Sequence, residues 1–182
     1  MLDTATIHIC KFHHPQENLP AGNRPWPEAE FADRFAVTYQ QRYTQVHPRT
    51  TKRQTLFVRE VAVSGYGIAD LVVLSWSDKQ ELSRTKSVLR SFELKVSNWR
   101  KGLMQAHRYG LYSHASVLVV PSGKLKSIRQ HINLFQRLRV GLWGFDQESG
   151  VITREYTPRP RHAKAIRPAQ LAFATLIAAG RR

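Results

Sequence analysis

Two carboxylates and a lysine stand inside stretches of this chain that otherwise have the composition of buried strands. Asp70 opens the apolar run Leu71-Val72-Val73-Leu74, and Glu93-Leu94-Lys95 lies within Ser91-Phe92-Glu93-Leu94-Lys95-Val96. Both runs read as buried strands from their length and their apolar, partly β-branched content. A charge in such a place is costly unless it is paired or holds a cation. These residues therefore limit how the two strands can be arranged. Strand alternation puts Glu93 and Lys95 on one face and Leu94 on the other. If the strands are neighbours, Asp70 joins that face, and two carboxylates meet one ammonium.

That trio has the composition that metal-assisted phosphodiester hydrolysis requires. Hard carboxylate oxygens suit Mg²⁺, which keeps several waters and usually takes one or two protein carboxylates. The ion polarises the phosphoryl group and lowers the pKa of a bound water. Lys95 would hold or help deprotonate that water and stand near the developing negative charge. The plain alternative is a salt bridge in which Lys95 merely neutralises Glu93 or Asp70.

After Glu-Leu-Lys, Asn98 reads as the N-cap of a helix through Tyr109, in which Leu103 and Ala106 share one stripe. Gln105 and Tyr109, four apart, project from one face of it. Ala115-Ser116-Val117-Leu118-Val119-Val120-Pro121 then reads as another buried strand. In this order of Gly-Ile-Ala-Asp, Glu-Leu-Lys, a Gln-x-x-x-Tyr helix and an apolar strand, the chain resembles the PD-(D/E)xK nuclease superfamily. The likeness is to its RecB-like and small stand-alone branches and covers roughly residues 55–121. It implies a restriction-endonuclease-like core, with Asp70 and Glu93 as metal ligands, the Leu94 carbonyl as a further one, and Lys95 as the catalytic lysine. Gln105 and Tyr109 match positions that brace the lysine or touch the scissile strand. Ala69 stands where the eponymous proline would be, a residue that shapes backbone and binds nothing.

Members of this superfamily often carry one more acidic residue, for which Glu60 and Glu28 are the candidates. Glu60 closes Leu56-Phe57-Val58-Arg59-Glu60 and reads equally well as an edge-strand charge. Glu28 and Glu30 open a helix expected over 27–43, whose stripe is Phe31, Phe35 and Tyr39. Acidic residues favour a first helical turn for dipole reasons alone, which is the plainer reading of both.

Composition narrows the partner. The chain has 182 residues, 42% of them hydrophobic, which suits one compact enzyme domain with a real core. Lys and Arg number 28 against 13 Asp and Glu, a formal +15, so a polyanion is the expected partner. Basic clusters fall at 47–53, 84–90, 100–108, 124–139 and 154–167, and Arg100, Lys101 and Arg108 flank the proposed catalytic helix. DNA is favoured over RNA by the resemblance alone. No apolar run approaches a membrane span and no signal pattern opens the chain, so a cytoplasmic, nucleoid-associated protein is expected. The single cysteine, Cys10, excludes an internal disulfide and suits a reducing compartment. His8, His13 and His14 lie near it, but no second cysteine or spaced ligand pair completes a zinc pattern.

The order of elements predicts an α/β fold with a mixed central β-sheet flanked by helices. An irregular segment is expected over 1–26, the nuclease-like domain over 27–157, and a basic arm with a final helix packed on that domain over 158–182. Within the domain, residues 126–138 read as one crossing helix with Ile128, Ile132 and Phe135 on a stripe. Trp76, Trp99 and Trp143 read as packing residues rather than base platforms. The expected activity is that of a Mg²⁺-dependent deoxyribonuclease, with Mn²⁺ able to substitute. It would act as an endonuclease, as a homodimer or with a protein partner supplying specificity. The rival readings are a non-catalytic nucleic-acid-binding protein of the same fold and a basic RNA-associated structural protein.

Overall fold

Local pattern accounts for most of the strands. The computed structural model describes residues 9–13, 26–46, 53–77 and 88–161. Among these the chain runs β1 (Ile9–His13), α1 (Trp26–Val46), β2 (Arg53–Val63), β3 (Gly67–Ser77), β4 (Val88–Leu94), α2 (Trp99–Tyr109) and β5 (Ala115–Pro121). It continues through a short 3-10 turn, α3 (Leu125–Arg129), α4 (Ile132–Leu138), β6 (Val140–Phe145) and β7 (Ile152–Tyr156). The strands form one mixed sheet of seven, and their order across it is their order in the chain. β3–β4 is antiparallel and β4–β5–β6 is parallel, each parallel step crossing over by helix.

The β2–β3 hairpin turns at Ser64-Gly65-Tyr66-Gly67, where φ is +78° at Gly65 and +102° at Gly67, as such a turn needs. One face of the sheet is closed by α1. Its Phe31, Phe35 and Tyr39, with Ala32 and Ala36 beside them, bury against Phe57, Leu71, Val73, Phe92, Leu94, Val119, Trp143 and Phe145. The Tyr39 and Phe92 rings stand 5.0 Å apart and those of Phe35 and Phe145 meet edge-on at 5.4 Å. The other face carries α2, α3 and α4. There Leu103, Ala106, Ile128 and Phe135 pack on Leu118, Val120, Val140 and Leu142, and Tyr109 and Tyr112 pack beside Val58, Val72 and Leu74.

Two features depart from the sequence expectations. The segment expected to be irregular contributes β1, which pairs with β2 through two register shifts and has too little alternation to be seen beforehand. The single crossing helix is two: His131 N–H bonds Ile128 O and Leu134 N–H bonds His131 O, tight i→i−3 links that break the α ladder at exposed Gln130 and His131. Ile128 and Phe135 still reach the same core. The arm beginning at 158 packs on the domain as far as it is described, through Arg161 N–H to His114 O at 3.0 Å. The final helix expected after Pro168, the 47–52 basic cluster, Arg84, and His8 and His14 lie outside the described residues.

The two strands of the hairpin change facing at one rung. Phe57 belongs to the α1 side and Val61 and Val63 to the other; Leu71 belongs to the α1 side and Ala69 to the other. Arg59 pairs with Leu71 and Val61 with Ala69, so Glu60 and Asp70 face each other at the point of change. Glu60 adopts a left-handed φ of +49° there, and the β3–β4 ladder ends one rung away at Leu71 and Phe92.

Candidate active site

Where the β3–β4 ladder stops, side chains replace it. The backbone N–H of Leu94 would next have paired with β3, and it donates instead to Asp70 Oδ2 at 2.6 Å. A strand residue sends its N–H and C=O off the same edge, so the Leu94 carbonyl also leaves toward this gap. Lys95 N–H goes the other way, to Val119 O of β5 at 3.0 Å. Asp70 and Glu93, at 3% and 1% exposure, thus lie buried on adjacent strands at the end of the sheet.

Lys95 lies between two acidic groups. Its Nζ is 3.0 Å from Glu93 Oε1 and pairs on the other side with Glu28 from the first turn of α1. The lysine stem crosses α2 at Gly102, where an added Cβ would come within 2.5 Å of Lys95 Cγ and 2.8 Å of Leu118 Cδ1. Helix and lysine can approach this closely only because the residue there is glycine. The hydroxyl of Tyr109 lies 2.7 Å from Glu93 Oε2 and 2.5 Å from Ile68 O, so α2 is tied to both strands of the gap.

Burial, and then the nearby charge of Asp70, push the Glu93 carboxyl up to about 8, against the opposing pull of Lys95 and Tyr109. The single Tyr109 proton cannot serve both of its acceptors at once, and a protonated Glu93 satisfies the whole group. For Lys95 burial works against the charge, but Glu93, Glu28 and Asp70 outweigh it and its pKa is raised. The residue is therefore an ammonium at neutral pH, suited to stabilising negative charge and orienting a water rather than to accepting a proton. Tyr109 is raised as well, by burial and then by Glu93, so it acts as a neutral donor.

The donor set fits one hard cation. Asp70 and Glu93 present two carboxylates whose mutual repulsion a divalent ion would relieve, with the Leu94 carbonyl on the same edge. Among the described residues no group of three His, Cys, Asp or Glu stands ready to hold a metal, and Glu28 meets this pair through the Lys95 ammonium. Mg²⁺, which accepts two carboxylates and completes its shell with water, is compatible with that set; a closed transition-metal cage is not.

The remaining expected residues are placed as follows. Gln105 makes no hydrogen bond to Lys95; its Oε1 is buried without a partner among the described residues, one turn from Tyr109. Arg100 is exposed with its guanidinium 4.5 Å above the Trp99 ring, Lys101 is exposed at the α2 start, and Arg108 is exposed near Gly67. Trp76 and Trp143 are core residues, and Trp99 stacks on Phe135. Sequence reasoning counted Lys124 only within a basic cluster, whereas its ammonium donates to Val96 O at 2.5 Å beside the lysine strand. It also missed the Glu28–Lys95 pair, which joins elements 67 positions apart and has no local signature.

No protein-family model matches this chain, and comparison with curated proteins and with solved structures likewise gives no match. Function must therefore be argued from the site.

Proposed function

We propose that this protein is a Mg²⁺-dependent deoxyribonuclease with a restriction-endonuclease-like core, hydrolysing DNA phosphodiester bonds. One observation carries the reading: Asp70, Glu93 and Lys95, from adjacent strands, converge at the gap where the β3–β4 ladder ends, with Lys95 Nζ 3.0 Å from Glu93. In this reading Asp70, Glu93 and the Leu94 carbonyl would hold the ion, with Mn²⁺ able to substitute. When bound, the ion supplies Lewis-acid activation of the phosphoryl group and of water.

The protein's own groups do the rest. The Lys95 ammonium donates toward the attacking water and offsets the charge that develops on the phosphoryl oxygens as the phosphorus becomes pentacoordinate. Glu28 fixes that ammonium from the side of α1. Tyr109 holds the Glu93 carboxylate in one orientation, and Gln105 stands one turn before it on α2. Arg100, Lys101, Arg108 and Lys124 supply cations for phosphates on either side of the cut. The formal +15 suits such a partner.

A second reading has one observation in its favour. An ammonium shared by Glu28 and Glu93 is also what a structural ion-pair cluster looks like in a non-catalytic nucleic-acid-binding protein. Nicking of supercoiled plasmid separates the two. Wild type is expected to nick with Mg²⁺ or Mn²⁺, and Asp70→Ala and Lys95→Ala to lose about 100-fold or more while still binding DNA. If wild type leaves plasmid intact with both cations yet binds it, the non-catalytic reading stands.

A further inference from the structure

Charge divides this molecule by face. From Leu94 to Phe145 the sequence holds nine Lys or Arg and no Asp or Glu, so the whole layer of α2, α3 and α4 lacks acidic side chains. Glu155, which reaches that layer from β7, is paired with Arg129 at 2.8 Å. The layer on the other face is mixed, since α1 carries Glu28, Glu30 and Asp33 against Arg34 and Arg42. Among the described residues a polyanion therefore meets an unopposed cationic surface on the α2–α4 side and not on the α1 side.

Within that layer four arginines gather at the end away from the gap. Arg139, just past α4, donates to the carbonyl of Arg159 at 3.2 Å, and Arg161 donates to the carbonyl of Gly110 at 3.2 Å. Arg137 stands in the last turn of α4. Arg161 N–H also bonds His114 O, and His114 lies five residues before Val119, the sheet partner of Leu94. The arm thus meets the sheet about 16 Å from the gap. Pro158 is buried, its Cδ 3.3 Å from where a Cβ on Gly141 would stand, and His107 Nδ1 lies 3.1 Å from Leu138 O. A fixed junction of α2, α4 and the arm carries these cations.

Helix capping explains only part of the arrangement. A guanidinium has five N–H donors, and the carbonyl contacts use one each of Arg139 and Arg161. Arg137 and Arg159 are exposed and form no ion pair with a carboxylate among the described residues. Arg139 has φ +55°, the left-handed position where glycine or asparagine usually ends a helix. An arginine there costs backbone energy that a glycine would not.

We infer that this junction is a second grip on the substrate, a phosphate-binding face for the DNA backbone roughly five base pairs from the cut. The inference deepens the nuclease reading and rests on it for the position of the cut. Guanidinium forks fit phosphate oxygens in pairs, and backbone contacts of this kind hold register without reading sequence.

The test is binding of the full-length chain to a labelled duplex of about 20 base pairs, in EDTA, over a series of salt concentrations. Arg137→Gln with Arg159→Gln should weaken binding about tenfold and flatten the salt slope by about two. Arg139→Asn keeps a residue that tolerates the left-handed backbone, and should flatten the slope by about one. Arg34→Gln with Arg42→Gln removes the same charge from the α1 face and should leave affinity within about twofold. Equal weakening by the two double variants overturns the inference, because net charge alone would then set affinity. So does undiminished binding by Arg137→Gln with Arg159→Gln. Tighter binding of wild type to phosphatidylserine–phosphatidylcholine vesicles than to DNA, lost in that variant, overturns it too, the face then being a lipid contact. Since EDTA stops turnover, these results are independent of the nicking assay. A protein that binds DNA by this face and never nicks keeps the face and loses the nuclease reading; one that nicks while both double variants bind alike does the reverse.

Discussion

Glu93 holds a proton that the unfolded chain would have released. Its folded pKa is pushed up to about 8 by burial and by Asp70, against an ordinary value of 4.5. Between those two values the folded state binds more protons than the unfolded state, so stability falls as pH rises through that window. In EDTA the denaturant midpoint is expected to drop between about pH 5 and pH 8, with Mg²⁺ raising it more at pH 8 than at pH 5. A flat profile in EDTA would contradict the burial and repulsion assigned to Glu93. Lys95 adds no slope there, since its raised pKa keeps it charged throughout the window. Gly102 makes a separate residue-scale case. Gly102→Ala drives a methyl into Lys95 Cγ and Leu118 Cδ1, and should cost about 1–3 kcal/mol, read as a lower Tm. Its cleavage should fall further than the loss of folded protein explains, because the lysine stem is one of the two groups displaced.

At the scale of elements, α2 spans the gap that the sheet leaves open. Asn98 Oδ1 caps its start by accepting Lys101 N–H at 3.1 Å, and Tyr109 at its end meets both Glu93 and the Ile68 carbonyl. Tyr109→Phe removes the hydroxyl from both and should destabilise by about 1–3 kcal/mol in chemical denaturation. Much of this was legible in the sequence. The α1 stripe, the Asn98 cap, the Gly65–Gly67 turn and the apolar runs of β3, β4, β5 and β6 are local signals, and the structure has each of them. The α/β order with a mixed sheet followed from them. The approach of Asp70 to Glu93 was legible too, since two charged apolar strands admit few arrangements. What escaped depends on distant contacts. β1 is five residues long and pairs irregularly, and Glu28 finds Lys95 only because α1 lies across the sheet. The change of facing at Glu60 has no marker, because a glutamate is a poor residue for a left-handed backbone.

Across the whole molecule the charge has a measurable consequence. No helix among the described residues is long and apolar enough to cross a membrane, and the +15 excess has exposed representatives around the gap in Arg100, Lys101, Arg108 and Lys124. If these four contact phosphates, log affinity for DNA should fall linearly with log salt, weakening about a hundredfold between about 50 and about 200 mM. A shallow slope would mean that few of them touch the backbone. Strand order bears on how such a chain is made. Sheet neighbours are chain neighbours from β1 to β7, so each strand leaving the ribosome meets an edge that already exists. Glu28, Asp70, Glu93 and Lys95 all precede α2, the element that seals them. During synthesis the residues of the acidic pocket therefore leave the ribosome ahead of the helix that covers them.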